Sequence, residues 1–324
     1  MEKKLAVIRP AISDSEQEKI VLAAHDAGYT PVFLDPKNVS ESDYMDAEII
    51  YGEGAAAKKA AAESDVLRWL CASFAGVDAF CRPGAFRNES TLLTNSAGAY
   101  GVSLAEHAIM MALMMMRRMP VFEEGIRNRR WLPPMPQDSI KNSVITLLGT
   151  GDVGSCLARR LRGFEPAKII GVCRSGRCRE PAFDEIFATD RLKEVLGETD
   201  LLIMSLPATV QTKHILNEEM LSAMHPGAYV VNVGRGNTID EKALSAALNE
   251  KRLAGAALDV METEPLPEDS PLWDTPNLIL TPHVAGNLTV DYTRNLNTEM
   301  FCEDLLRYAK GQPLLHLVDR TAGY

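Results

Sequence analysis

Gly149, Gly151 and Gly154 stand at G-x-G-x-x-G spacing, directly after the apolar β-branched run Ser143 to Leu148 and before a stretch of helical character from Ser155 to Gly163. Strand, tight turn and helix in that order build a cradle for a phosphate. Gly149 permits the turn, Gly151 lets the backbone approach a pyrophosphate with no Cβ in the way, and Gly154 lets helix and strand pack closely. A pyrophosphate would then sit on the helix N-terminus, where free N–H groups and the helix dipole favour an anion, with Asp152 and Val153 of the same motif beside it. A second apolar run, Lys168 to Val172, completes a βαβ unit. The expected ligand is a dinucleotide.

The residues after that second run bear on which dinucleotide. An NAD site places an Asp or Glu about 20 residues beyond the glycines to hold the adenosine ribose, whereas an arginine there accommodates a 2′-phosphate. This chain reads Cys173-Arg174-Ser175-Gly176-Arg177-Cys178-Arg179. Arg174 and Arg177 offer forked donors and Ser175 a hydroxyl, the combination that phosphate recognition uses. NADP(H) is therefore expected ahead of NAD(H), against the alternative of a solvated basic loop.

Composition narrows the remaining classes. A chain of 324 residues is expected to form two domains, and 46% hydrophobic with 24% charged residues is the balance of a soluble globular protein. A net charge of −10 argues against a nucleic-acid or anionic-membrane surface, so any phosphate site must be local. The six cysteines show neither C-x-x-C nor zinc spacing, and nothing resembles a secretory signal; no metal site and a cytoplasmic location are expected. The uncharged run Ala108 to Met116 falls well short of the roughly 18 apolar residues of a membrane span. It reads as part of a buried helix from Val102 to Met119, on which His107 is a core or interdomain residue.

The supporting elements come in chain order. Strands are expected at Lys4 to Ile8, Pro31 to Leu34, Glu48 to Tyr51 and Leu67 to Cys71, with helices at Asp14 to Ala27 and Gly54 to Glu63. This alternation makes a parallel α/β domain. The turn Ala75-Gly76-Val77 comes after its last strand, where backbone N–H groups can hold a substrate carboxylate; the alternative is a plain turn. Thr94 to Gly101 is rich in turn formers and marks a domain crossing. The Arg-, Trp- and Pro-containing segment Phe122 to Ser139 suits an arm over another subunit, hence a homodimer, or else a surface loop. Further buried strands are expected at Asp200 to Leu206, Ala228 to Val233, Ala254 to Leu258 and Asn277 to Leu280, with helices at Glu218 to Met224 and Glu241 to Asn249. Each strand end carries polar or turn-forming residues. These are Pro207 and Thr212, then Asn232-Val233-Gly234-Arg235-Gly236, then Asp259 with Glu264-Pro265-Leu266, then Thr281-Pro282-His283-Val284-Ala285-Gly286. His214 and His225 lie in helical or loop context with no expected role.

Taken together with Gly149-x-Gly151-x-x-Gly154, those strand-end motifs resemble the D-isomer-specific 2-hydroxyacid dehydrogenases, a group that includes phosphoglycerate, glyoxylate/hydroxypyruvate and D-lactate dehydrogenases. The resemblance runs from about Ala75 to Gly311-Gln312-Pro313-Leu314. It implies an α/β fold of two domains, a Rossmann dinucleotide-binding domain (101–287) inserted into a flavodoxin-like substrate domain (1–100 plus 288–324). It also implies a catalytic trio: Arg235 of N-x-x-R-G, Glu264 before the proline, and His283 of T-P-H. The chemistry is coherent. Reducing a 2-oxo acid needs a hydride, a proton for the developing alkoxide, and a cation for the carboxylate and carbonyl oxygen. His283 would give the proton, Glu264 would hold the other ring nitrogen, and Arg235 would fork onto the carboxylate. Pro207, Thr212, Val233, Gly234, Asp259 and Gly286 would join the glycine motif around the cofactor. A short, NADP-leaning chain is most similar to the glyoxylate/hydroxypyruvate type, with a small 2-oxo or 2-hydroxy acid as partner. The alternative from another class is a dinucleotide-binding regulatory or scaffold protein that keeps the same residues without turnover.

Overall fold

A computed structural model describes residues 3–10 and 12–323. The chain opens with β1 (Lys3–Ile8), α1 (Asp14–Ala27), β2 (Tyr29–Leu34), β3 (Ile49–Gly52), α2 (Gly54–Glu63), β4 (Trp69–Ala72) and β5 (Leu92–Thr94). It continues through α3 (Gly101–Met116), α4 (Met119–Arg127), β6 (Val144–Leu148), α5 (Asp152–Leu161), β7 (Lys168–Cys173), β8 (Glu185–Ala188), α6 (Leu192–Leu196) and β9 (Leu201–Met204). The remainder is α7 (Glu218–Ala223), β10 (Tyr229–Asn232), α8 (Glu241–Asn249), β11 (Gly255–Leu258), β12 (Leu278–Leu280) and α9 (Asp291–Ala309). Two compact units result, one of Met1–Tyr100 with Asn287–Tyr324, the other Gly101–Gly286.

The first unit is a five-stranded sheet of order β2-β1-β3-β4-β5, with all of these strand pairs parallel. That is the flavodoxin-like order. Ser13 and Glu16 cap α1 reciprocally, and Gly28 closes it in the left-handed region at φ 77°. The last helix, α9, returns to this sheet through Phe301, which stacks on Tyr51 at 3.9 Å between ring centroids and lies against Trp69. Sequence periodicity gives no sign of α9, because its buried face is mostly polar: Thr293, Asn297, Thr298 and Asp304 lie beside Phe301 and Leu305. These polar groups are paired within the unit. Asn297 donates to the Ser73 carbonyl at 2.8 Å and accepts from the Tyr51 hydroxyl, and Asp304 accepts from the backbone of Leu315 and His316.

The second unit is a seven-stranded parallel sheet of order β12-β11-β10-β9-β6-β7-β8. The chain lays β6, β7 and β8 outward in one direction, then crosses to β9 and proceeds in the other. This is the doubly wound dinucleotide-binding arrangement, with its switch point between β6 and β9. Helix α3 is buried through Ala105, Ala108, Met111, Ala112 and Met115, which fill the core against α5, β10 and β11. It ends at Met116, three residues short of the expected boundary, because Arg118 turns left-handed at φ 58° and opens α4. The segment expected to be irregular from Phe122 is thus helical to Arg127 and irregular only beyond it, where Arg129 turns left-handed at φ 53°. The edge strand β8 has no clear sequence signature; its four residues are no more than half-buried and carry little apolar pattern. Among the described residues, no helix is long and apolar enough to cross a membrane, and no group of three His, Cys, Asp or Glu could hold a metal ion.

The most heavily loaded buried charge in the first unit is Glu16, which has no exposed side-chain surface. It pairs with Arg294 at 2.7 Å and Arg9 at 3.3 Å and accepts from Thr298 and Ser13. Burial alone would raise its pKa, but the bonds from Ser13 and Thr298 and the charge of Arg9 hold the carboxyl below its ordinary value. Its stabilising contribution is therefore present above the ordinary carboxylate range and is lost as pH falls through the depressed value. Glu16→Gln is expected to cost about 3–5 kcal/mol at neutral pH by stranding Arg9. In denaturant unfolding measured against pH, the difference from wild type should shrink as acidity protonates the native carboxyl.

Candidate active site

The sequence-predicted residues of the second unit gather at the carboxyl ends of its strands, the edge at which open parallel sheets bind ligands. After β6, Gly149 adopts φ 111°, and a Cβ there would sit 2.8 Å from Ser205 Oγ at the end of β9. A Cβ on Gly154 would lie 2.0 Å from the Gly149 carbonyl oxygen, so no larger residue fits; around Gly151 there is open space. Helix α5 begins at Asp152, three residues earlier than expected, with Gly151 as its N-cap. The cradle thus fits a pyrophosphate, with closed packing behind it and an open backbone in front. Val153 leans on the core, and Asp152 turns its carboxylate to Gly101 at the start of α3. Burial raises the Asp152 pKa, opposed by the Gly101 N–H and by Arg159.

After β7 the arginine loop is a tight turn, with Gly176 at φ 62° and its N–H on the Cys173 carbonyl at 3.2 Å. Ser175 Oγ and the Arg177 backbone are 3.3 Å apart, and Arg174, Ser175 and Arg177 are exposed. After β9, Thr212 spends its hydroxyl on its own turn, donating to the Pro207 carbonyl at 2.7 Å.

The β10, β11 and β12 ends interlock. Buried Asn232 accepts from Gly234 N–H and donates to the Arg235 carbonyl, both at 3.0 Å, which fixes the Asn232–Gly236 turn. Val233 puts its side chain into the core, leaving only backbone toward a ligand. A Cβ on Gly234 would meet the Leu206 backbone at 2.6 Å, and one on Gly236 would lie 1.9 Å from the Met261 carbonyl carbon. The turn carrying Arg235 is thereby pressed on the segment leading to Glu264. That segment is flanked by Glu262, whose N–H donates to Glu241 at 2.6 Å and whose carboxylate is 3.1 Å from His214 Nε2.

Asp259, 1% exposed, directs its carboxylate into the protein. Oδ1 accepts from Thr281 Oγ1 at 2.6 Å and Val284 N–H at 2.9 Å, and Oδ2 from Ala285 N–H at 3.0 Å; its carbonyl accepts His283 N–H at 2.8 Å. His107 joins this cluster, with Nε2 3.1 Å from Thr281 Oγ1. Successive N–H groups from 283 to 285 thus converge on one residue, and they hold His283 in the left-handed region at φ 53°. Its Nδ1 lies 2.7 Å from Glu264 Oε2, while Glu264 Oε1 accepts from Met261 N–H at 2.9 Å. Arg235 directs Nη1 to the Gly234 carbonyl at 2.8 Å. The structure thus pairs Glu264 directly with His283, and links Arg235 to them through the Gly236 contact.

Residues 109–285 match the model of the D-isomer specific 2-hydroxyacid dehydrogenase NAD binding domain. The chain belongs to the D-isomer specific 2-hydroxyacid dehydrogenase family. It is 33% identical over 230 residues to glyoxylate/hydroxypyruvate reductase A of Salmonella typhimurium, covering 69% of this chain and 70% of that protein. The solved family member from Aeromonas salmonicida is 33% identical, with a TM-score of 0.87 over 99% of this chain and 100% of that one. An NADPH-dependent glyoxylate/hydroxypyruvate reductase of Sinorhizobium meliloti, solved with NADP and sulfate, is 25% identical with a TM-score of 0.82 over 99% and 100% of the two chains.

In the first unit, Ala75-Gly76-Val77 comes after β4 as expected. Ala75 accepts from Asn95 through its carbonyl at 2.8 Å, Gly76 is exposed, and Val77 is buried in the core. Sequence reasoning does not single out Asn232, Ser205 or Gly236, although two of them stand inside the N-x-x-R-G motif. Gly236→Ala should displace the 261–264 segment. An overpacking cost of about 1–3 kcal/mol or more is expected in unfolding experiments, with weakened dehydrogenase activity in whatever protein remains folded.

Proposed function

We propose that this dehydrogenase reduces a small 2-oxo acid to the D-2-hydroxy acid with NADPH. The observation that carries the reading is the 2.7 Å contact of His283 Nδ1 with Glu264 at the ligand-binding edge of the sheet. Glu264 fixes the imidazole and commits Nδ1, so Nε2 is the atom that presents the proton to the developing alkoxide. Imidazole exchanges protons near neutrality, which suits that task. Arg235 binds the substrate carboxylate as a planar fork and polarises the adjacent carbonyl. The N–H groups of Ala75-Gly76-Val77 are read as a carboxylate seat of residues 1–100 with 288–324, the proposed substrate domain, and 101–287 is the proposed cofactor domain.

The dinucleotide, when bound, supplies the hydride. Gly149, Gly151 and Gly154 with the first-turn N–H groups of Asp152 and Val153 take its pyrophosphate, and Arg174, Ser175 and Arg177 take the 2′-phosphate. Pro207, Thr212, Val233, Gly234, Asp259 and Gly286 line its remaining length. NADPH preference is supported by that loop and by the Sinorhizobium relative; glyoxylate and hydroxypyruvate are the substrates its name and the Salmonella relative's suggest. A homodimer is supported by the exposed apolar residues Ile126 and Trp131, 73% and 100% accessible, and a cytoplasmic location by six free cysteines.

The test is the initial rate of NADPH and NADH oxidation with each acid. Fast NADPH oxidation and little from NADH is expected; tight dinucleotide binding without oxidation of either would sink the reading. His283→Gln should lower kcat by about 10²–10⁴-fold with the dinucleotide Kd unchanged. Combined Arg174→Ala and Arg177→Ala should raise the KM for NADPH about tenfold or more and leave that for NADH in place, since charge-assisted bonds contribute roughly 1.5–3 kcal/mol each.

A further inference from the structure

Two cysteines bracket the arginine loop, and both face Thr150, the residue between the first two motif glycines. Cys178 Sγ lies 3.7 Å from the Thr150 carbonyl oxygen, and the polar side chain of Thr150 favours ionisation of Cys173. Cys173 Sγ is also 3.7 Å from Ser175 Oγ and 3.6 Å from the Arg177 carbonyl oxygen. That carbonyl belongs to the peptide that begins Cys178, so the Cys173 sulfur already rests against its neighbour's backbone. Both residues are partly exposed. Gly176 seats the turn on Ala188, its Cβ position 3.1 Å from the Ala188 nitrogen, so the loop has little room to shift on that side.

The other cysteines differ in setting. Burial pushes the Cys71 thiol up to about 12 and that of Cys302 up to about 11, and it also raises Cys81. Cys173 goes the other way. Burial opposes its ionisation, but hydrogen bonds from Thr150, Ser175 and the turn backbone together lower its pKa.

We propose that Cys173 and Cys178 form an oxidisable pair that, once bridged, closes the dinucleotide site. The inference rests on reading Arg174 to Arg177 as the 2′-phosphate seat. The Cys173 thiolate attacks an oxygen of a hydroperoxide: an S–O bond forms, the O–O bond breaks, sulfur loses two electrons, and the departing oxygen takes a solvent proton to leave as water or alcohol. The Cys178 thiolate then attacks that sulfur. An S–S bond forms, the S–O bond breaks, and hydroxide leaves as water with the proton Cys178 gave up. A dithiol reductant restores both thiols. The bridge draws the two flanks of the arginine loop together, so the phosphate donors at Arg174, Ser175 and Arg177 lose their register.

The sequence supplies its own assay, because trypsin cuts after Lys168, Arg174, Arg177 and Arg179 and leaves the two cysteines in separate peptides. After one equivalent of hydrogen peroxide on the wild-type protein, peptides 169–174 and 178–179 should be recovered joined and lighter by two hydrogens. The KM for NADPH should rise about tenfold or more, dithiothreitol should reverse both changes, and bound NADPH should slow the bridging. Cys173→Ser and Cys178→Ser should each abolish the peroxide effect. In the untreated protein iodoacetamide should label Cys173 well before Cys81. Labelling of Cys173 no faster than Cys81, serine variants that stay peroxide-sensitive, or a bridge that changes neither KM would overturn the proposal. A bridge that raises the KM for NADPH and NADH alike would support the pair and overturn the phosphate reading.

Discussion

The buried carboxylate of Asp259 is the constraint on which the site depends. An ionised group taken out of water costs several kcal/mol unless donors replace its hydration. At the end of β11 those donors are the Thr281 hydroxyl and the N–H groups of Val284 and Ala285. To deliver them, the chain leaving β12 must fold back over Asp259, and His283 has to enter the left-handed region. That conformation costs of the order of 1–3 kcal/mol. Three hydrogen bonds to a charged acceptor, at roughly 1.5–3 kcal/mol each, outweigh it. The strained residue is the one whose imidazole meets Glu264, so a buried anion of no evident catalytic use fixes the direction of the proposed proton donor.

The remaining loops are held to one another by backbone proximity more than by side-chain packing. Gly154 touches Gly149, Gly234 touches Leu206, and Gly236 touches Met261, each at distances that exclude a Cβ. The last two contacts tie the ends of β9, β10 and β11 into one edge, and the close approach of Gly149 to Ser205 joins the end of β6 to it. Peptide groups in van der Waals contact have no rotamers through which to relax, so Arg235 and Glu264 are carried on a stiffer frame than surface loops usually offer.

Much of this was legible in the sequence for a physical reason. In a parallel sheet buried on both faces the strands read as apolar runs, and the residues just beyond each run lie at the ligand edge, so the glycine motif and the polar strand ends could be located by position, while Arg235, Glu264 and His283 drew their roles from the family resemblance. Less legible were features whose cause is tertiary. Helix α9 buries asparagine and threonine to satisfy Tyr51 and Ser73, and so lacks an apolar stripe. Val77 and Val233 fall within functional-looking motifs, yet their side chains go to the core. Asp259 reads as one more polar strand end, because nothing local reveals that residues 281–285 will wrap it.

Strand order also separates recognition from chemistry. The arginine loop comes after β7 and His283 after β12, five strand spacings apart in the order β12-β11-β10-β9-β6-β7. At about 4.8 Å per strand that is on the order of 24 Å. Only an extended ligand lying across the switch point can engage both ends. On the proposed reading, contacts at the arginine loop would act on the reacting end through the ligand's placement, and their binding energy could be used to hold the far end in register. A chain of net charge −10 offers no general attraction to a polyphosphate. On the proposed reading the two exposed arginines supply it locally, and their distance from His283 would let cofactor choice change without disturbing the Glu264–His283 pair.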